Sequence, residues 1–140
     1  MVEDDRTMTH ETVLAELVAR EPIFHPPPPD RRALDALVVA DFWEVGATGN
    51  VYDKETIWAV VRRRDPEGGP ALRIEDAQVR RLSADTWLLT YRLWQGDRPT
   101  RRATIWRAES DGWVAVYHQG TEVQALPAEV GDALAADSGR

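Results

Sequence analysis

The chain has 140 residues, and its 17 basic and 24 acidic residues give a formal net charge of −7. This length is typical of one domain with its own hydrophobic core. The lack of cysteine excludes disulfides, thiolate nucleophiles and cysteine-ligated metals, and it is compatible with a reducing compartment. No segment approaches the roughly 20 apolar residues of a membrane span, and residues 1–10 lack a secretory pattern. We therefore expect a cytoplasmic protein without a membrane partner.

The basic residues are concentrated in the middle of the chain, between residues 62 and 107. Basic segments are one feature of nucleic-acid-binding proteins. Here, however, the arginines alternate with apolar residues in strand-like segments and do not cluster on one helix. This pattern favours a solvated sheet face, and we predict no nucleic-acid partner.

Two helices are predicted in the first third of the chain. Residues 9–20 (THETVLAELVAR) place apolar residues at helical spacing after Thr9, a suitable N-cap. The four prolines of residues 26–29 cannot continue this helix, and Asp30 can cap a second short helix in RRALDAL. Because no proline-rich tract surrounds them, we interpret the prolines as a rigid corner and not as a peptide ligand.

A strand, a third helix and an antiparallel meander are predicted next. ADFWEVGATGN is extended and ends in a turn, and Asp53 precedes the helical pattern KETIWAVVRRR, which DPEGGP ends. From Ala71 onward the apolar period is two, and a change of parity in LRIEDAQVRRL predicts a β-bulge near residues 75–77. The segments TWLLTYRLWQ, TRRATIWRAE and GWVAVYHQGTEV follow, separated by short turns.

The strand TWLLTYRLWQ is apolar on both faces. Trp87 and Leu89 share one parity, whereas Leu88 and Trp94 lie on the other. A sheet of this kind must be covered on both faces, and the predicted helices can cover only one. We therefore expect a homodimer through the other sheet face.

This order of elements resembles the nuclear transport factor 2-like superfamily. The segments REPIFHPP, ADFWEVGATGNVYDKE and RRATIWRAESDGWVAVYHQGTEV are similar to a branch of small bacterial proteins of unknown function in that superfamily. The resemblance covers roughly residues 9–125. It implies a single α+β domain in which N-terminal helices pack on a strongly curved mixed or antiparallel sheet, forming a cone with an internal pocket. We expect residues 1–8 and 126–140 to be mobile ends.

The superfamily includes steroid isomerases, polyketide cyclases and dehydratases as well as non-catalytic modules, so the fold alone does not determine the function. The isomerases use a carboxylate near the end of the first strand, and the matching stretch at residues 45–47 has none. Glu44 lies on the same side of the strand as Gly46 and is a candidate inward carboxylate. Burial in an apolar pocket would raise its pKa toward a useful value, whereas pairing with Arg92 or Arg102 would lower it.

His118, near the end of the last strand, is the best-placed imidazole for acid–base chemistry. Strict alternation places His118 on the face of Val116, and it places Tyr117 and Gln119 on the face of Ala115. The family geometry favours the second face for the pocket, which leaves His118 at the subunit interface or bonded to the backbone. His25, ahead of the prolines, is interpreted as a buried histidine that anchors its loop or lines the mouth of the cone.

The six tryptophans supply a large apolar surface, and some of them could line a cleft for a flat molecule. The predicted pocket residues are Phe42, Trp58, Tyr91, Trp106, Tyr117 and Gln119. No HxH or HExxH pair, phosphate-binding glycine loop or GxSxG motif occurs, so we predict no metal and no cofactor.

The sequence therefore predicts a small pocket protein that binds an apolar or aromatic molecule. One alternative is a cofactor-independent isomerase, cyclase or dehydratase that uses Glu44, with His118 or a tyrosine as its partner. A second alternative is a module that only dimerises or binds other proteins.

Overall fold

The computed structural model describes residues 9–25, 30–63 and 71–124. The predictions for the proline corner, for the DPEGGP segment and for the two chain ends lie outside these residues.

Three helices and one six-stranded sheet make up the described residues. The helices are α1 (His10–Arg20), α2 (Arg31–Leu37) and α3 (Lys54–Val61), and a 3₁₀ turn, Glu21–Phe24, follows α1 directly. The strands are β1 (Val38–Val45), β2 (Val51–Asp53), β3 (Leu72–Arg81), β4 (Thr86–Gln95), β5 (Arg98–Glu109) and β6 (Gly112–Glu122). The α+β class predicted from the sequence is confirmed.

Each helix begins at a side-chain cap. Thr9, Asp30 and Asp53 each accept a hydrogen bond from the backbone N–H three residues later, at 2.7–3.1 Å. These bonds satisfy donors that have no partner within the first turn of a helix, which explains why the three helices begin where they do.

The sheet is mixed, with the strand order β2-β1-β6-β5-β4-β3. The strands from β3 to β6 form the predicted antiparallel meander, and β1 pairs with β6 in parallel. The parallel pairing brings the first strand and the last strand together, so residues far apart in sequence share the inner face. The helices pack on that concave inner face.

β-Bulges on β3 and β6 increase the curvature of the sheet. The first lies between the pairs Glu75↔Arg92 and Gln78↔Thr90, which confirms the bulge predicted from the sequence. A bulge adds one unpaired residue, bends its strand and reverses the alternation of faces beyond it.

The second bulge, on β6, changes which residues face inward. The register shifts between the pairs Trp106↔Ala115 and Ile105↔Tyr117, so Val116 is the extra residue. The strict alternation that we predicted for β6 is therefore wrong at this point. His118 shares the inner face with Ala115 and is fully buried, whereas Tyr117 and Gln119 lie on the outer face.

The core fills the space between the helices and the inner face of the sheet. The inner side chains of β4 are buried, while the alternate residues of that strand are only half-buried. On the outer face, Trp43 is 47% exposed, and its ring centroid lies 4.9 Å from that of Tyr117. Within the described ranges, no helix is long and apolar enough to cross a membrane.

Candidate functional site

A fully buried carboxylate, Glu21, lies where α1 ends. Its backbone N–H donates to the carbonyls of Leu17 and Val18 and so closes the helix. Pro22 follows within the 3₁₀ turn and has no N–H with which to continue the α-helix. The turn directs the Glu21 side chain onto the inner face of β4 and β5.

The Glu21 carboxylate accepts three hydrogen bonds from neutral donors. The Tyr91 hydroxyl donates to Oε1 at 2.5 Å, and the Thr104 hydroxyl donates to the same oxygen at 2.9 Å. The Trp106 indole N–H donates to Oε2 at 2.8 Å. Both carboxylate oxygens are therefore satisfied, although no cation donates one of these bonds.

Two histidines extend this network. His25 Nε2 lies 3.0 Å from the Tyr91 hydroxyl, and His118 Nδ1 lies 2.7 Å from the Thr104 hydroxyl. Each hydroxyl has one proton, which it donates to Glu21, so we assign both ring nitrogens as donors. The result is a continuous hydrogen-bonded chain with an imidazole at each end, in the order His25, Tyr91, Glu21, Thr104, His118.

Burial controls the protonation of this network. It raises the pKa of Glu21 from 4.5 to about 7, although the bonds from Tyr91, Thr104 and Trp106 and the charge of Arg102 oppose the shift. Burial also lowers the pKa of His118 well below its ordinary value, and the nearby His25 and Arg102 lower the same pKa further. His118 is therefore neutral near pH 7, and its 3.7 Å approach to Glu21 is not an ion pair.

A cavity of about 260 Å³ opens beside this network. His25 belongs to both, because it is bonded to Tyr91 and also lines the cavity. The polar side chains of the wall include Glu44, Gln95, Arg98 and Arg102. The apolar part includes Phe24, Tyr52 and Ile57.

Arg102 contributes a half-buried positive charge to the wall. Its Nε donates to the Thr100 hydroxyl at 3.0 Å, and among the described residues no carboxylate forms an ion pair with it. Burial lowers the pKa of Arg102, whereas electrostatic interaction with Tyr91 and Glu44 raises it. A Cβ at Gly120 would lie 2.5 Å from Arg102 Nη1, so the glycine leaves room for the guanidinium.

The two predicted catalytic residues lie in different environments. Glu44 faces inward and lines the cavity, and it is in register with His118 on the neighbouring strand. His118 does not line the cavity, because the Phe24 ring stacks on it at 4.4 Å and separates it from the space. The structure therefore places Glu44, and not His118, where a ligand can reach it.

None of the predicted pocket residues lines this cavity. Phe42 and Trp106 are buried because the interior of the cone is filled by packing. Trp58 is half-buried on α3, beside the Arg31 guanidinium. The buried Tyr91 and the outward-facing Gln119 line a separate depression on the sheet, and Tyr117 is also on the outer face because of the β6 bulge.

Sequence reasoning missed Glu21 and gave Arg102 only a pairing role. The local signal for Glu21 is an acidic residue at a helix end, directly before a proline and four residues before His25. That signal alone does not distinguish a buried carboxylate from a solvated one, because charged residues are common at helix ends.

Comparison with known proteins identifies the fold. No family model matches the chain, and no curated protein matches it. Among solved structures, a protein of unknown function from the DUF3225 family of Pectobacterium atrosepticum is 21% identical, with a TM-score of 0.63, over 80% of this chain and 91% of its own. An NTF2-like protein from Cytophaga hutchinsonii is 19% identical, with a TM-score of 0.62, over 83% of this chain and 100% of its own. The chain has the nuclear transport factor 2-like fold.

A third match agrees with this assignment. A cystatin-like fold protein from Burkholderia xenovorans is 19% identical, with a TM-score of 0.61, over 82% of this chain and 94% of its own. Identities this low show the nuclear transport factor 2-like fold alone. Proteins with one fold have many functions, so function follows from the chemistry of the site.

The raised pKa of Glu21 makes stability depend on pH. Above pH 4.5 the unfolded chain releases this proton, whereas the folded protein retains it up to about pH 7. The contribution of protonated Glu21 to the free energy of unfolding is therefore present at low pH. It is lost as the pH rises, by at most about 1.4 kcal/mol per pH unit. We expect Glu21→Gln to remove this slope from denaturant-unfolding free energies measured between pH 4.5 and 7 in metal-free buffer.

The control for this pH series is Glu11→Gln, an exposed substitution on α1 that leaves the network intact. It should retain the slope of the unmodified protein. Parallel curves for the unmodified protein and Glu21→Gln would contradict the raised pKa.

Proposed function

We propose that the cavity binds a small organic acid with an apolar or aromatic body. The supporting observation is Arg102, a half-buried guanidinium in the cavity wall with no carboxylate partner among the described residues. Arg98 lines the same cavity, but it is exposed and already forms an ion pair with Glu122 at 2.9 Å. Withdrawing a charge from water is costly unless an opposite charge compensates it, so an anion is the favoured occupant.

The chemistry of the arginines indicates which anion. A guanidinium presents a planar fork of N–H donors that matches the two oxygens of a carboxylate. Arg98 already pairs with Glu122 and Glu44 adds a carboxyl group to the wall, so a monoanion is favoured over a ligand with two negative charges. Gln95 offers an amide that can donate to the same ligand or accept from it.

The apolar wall and the volume limit the rest of the ligand. Phe24, Tyr52 and Ile57 contribute flat and branched apolar surfaces to the cavity wall. The volume of about 260 Å³ lies below the range of about 300–1,000 Å³ that is usual for drug-sized ligands. A one-ring acid therefore suits the cavity better than a steroid or a polyketide does.

The role of Arg102 can be tested with a panel of benzoate, hydroxybenzoates and phenylacetate, each paired with its neutral amide. We expect an acid from this panel to raise the melting temperature at saturation, because it binds only the folded state. Arg102→Gln should weaken its binding at least about tenfold in calorimetry, the equivalent of about 1.4 kcal/mol.

The matched control is Arg101→Gln, because Arg101 is exposed and does not line this cavity. The affinity of this variant for the acid should stay within about a factor of two of the affinity of the unmodified protein. The proposal fails if no acid stabilises the protein, or if the amides bind as tightly as the acids.

A second candidate function is proton transfer by Glu44, as in a cofactor-independent isomerase, cyclase or dehydratase. It is supported by the position of Glu44, since a carboxylate and the imidazole of His25 line the same cavity. A carboxylate within about 3 Å of a ligand C–H next to a carbonyl can act as a general base. In this role His25 replaces His118 as the imidazole partner.

Proton transfer can be detected without knowing the product. For a bound ligand that has hydrogens on the carbon next to its carbonyl, such as phenylacetate, exchange of those hydrogens is followed by NMR in D₂O. Glu44→Gln should abolish protein-dependent exchange while leaving binding in place, because the amide cannot accept the proton as a base. Unchanged exchange in Glu44→Gln would eliminate this role.

The outer sheet face supports dimerisation as a separate proposal. Trp43 and Tyr117 are neighbours on that face, and about half of the Trp43 surface is exposed to solvent. In sedimentation experiments we expect the unmodified chain to have twice the monomer mass and Trp43→Glu to be monomeric. Leu82→Glu, at a side chain exposed beyond the end of β3, should leave the dimer intact. A monomeric unmodified chain at about 100 µM would rule this interface out.

A further inference from the structure

We propose that Glu21, His25 and His118 form a site for one divalent transition-metal ion such as Zn²⁺. One ligand atom from each of these residues lies within 4.8 Å of the other two. All three side chains are buried, with Glu21 and His118 fully so and His25 2% exposed. This inference does not depend on the cavity binding an acid.

The ligand types indicate which ions fit. Two imidazoles and one carboxylate are a set that Zn²⁺, Co²⁺ or Fe²⁺ prefers, whereas Mg²⁺ and Ca²⁺ prefer oxygen ligands alone. Three protein ligands leave a further position for water or a small ligand, as in catalytic zinc sites. Because His25 also lines the cavity, a bound ion would lie close to the cavity wall.

The charge balance around Glu21 favours a cation. Its hydrogen-bond donors, Tyr91, Thr104 and Trp106, are all neutral. Within the described part of the chain, no lysine or arginine lies in ion-pair contact with it. Buried charges in proteins are usually paired or bound to a metal, so a divalent ion would supply the counter-charge of the ionised Glu21 carboxylate.

The hydrogen-bond directions leave His118 in the form that binds metals. Thr104 donates its single proton to Glu21, so it accepts from His118 Nδ1–H, and the lone pair of the ring lies on Nε2. That Nε2 is buried and has no hydrogen-bond partner within the described residues. Unpartnered buried nitrogens are uncommon. The bond from Nδ1–H to Thr104 fixes the orientation of the ring, as a hydrogen bond on the other ring nitrogen does in metal-bound histidines.

Tyr91 competes with the ion, because its hydroxyl bonds both His25 Nε2 and Glu21 Oε1. Metal binding would exchange these bonds for coordination. Tyr91→Phe removes the competing hydroxyl and keeps all three ligands, so it should bind the metal at least as tightly as the unmodified protein.

The decisive experiment uses the unmodified full chain, stripped with EDTA and labelled with ¹⁵N. Its three histidines make the imidazole spectrum simple. With one equivalent of ZnCl₂, we expect the ring signals of His25 and His118 to shift and saturate, while those of the exposed His10 stay in place. The site does not exist if no ring responds, if His10 alone responds, or if all three shift only with excess metal.

Calorimetry with ZnCl₂ and CoCl₂ tests the ligands one by one. Glu21→Gln, His25→Gln and His118→Gln should each weaken one-to-one binding at least about tenfold, since loss even of a group that only hydrogen-bonds to a metal ligand costs about 10–100-fold. His10→Gln is the control, and its affinity for the metal should equal that of the unmodified protein. Equal affinity in all four variants would overturn the assignment, and if a ligand variant unfolds, the spectrum of the unmodified chain still decides.

Discussion

The burial of one carboxylate organises the interior of this protein. Glu21 has no contact with solvent, and its two oxygens hold together the end of α1, strand β4 and strand β5 through Tyr91, Thr104 and Trp106. Loss of any one of these bonds would destabilise the arrangement, because leaving a buried polar group unsatisfied costs about 1–3 kcal/mol. The positions of the first helix and of the central strands are therefore interdependent.

The curvature of the sheet determines what surrounds that carboxylate. The bulge at Val116 turns His118 inward, and the parallel pairing of β1 with β6 places Glu44 beside it. The Phe24 ring then stacks on His118 and forms part of the cavity wall. The Phe24 ring thus separates His118 from the open cavity, whereas His25 both lines that cavity and is bonded to the buried network.

Much of the architecture could be predicted from local patterns. The capping residues Thr9, Asp30 and Asp53, the meander and the bulge near residues 75–77 all depend on neighbours within a few positions. Periodicity reports directly on such short-range constraints. The inward direction of Glu44 was predicted on the same basis.

The candidate site is different, because its members are separated by up to 97 positions in the chain. The sequence by itself determined the elements, their order and the α+β class, since these follow from local propensity and alternation. Only the tertiary structure decided that Glu21, His25 and His118 meet, that a bulge reverses β6, and that aromatic side chains fill the cone while arginines line its cavity. The physical reason is that sheet register and burial depend on contacts between distant strands, which no local pattern encodes.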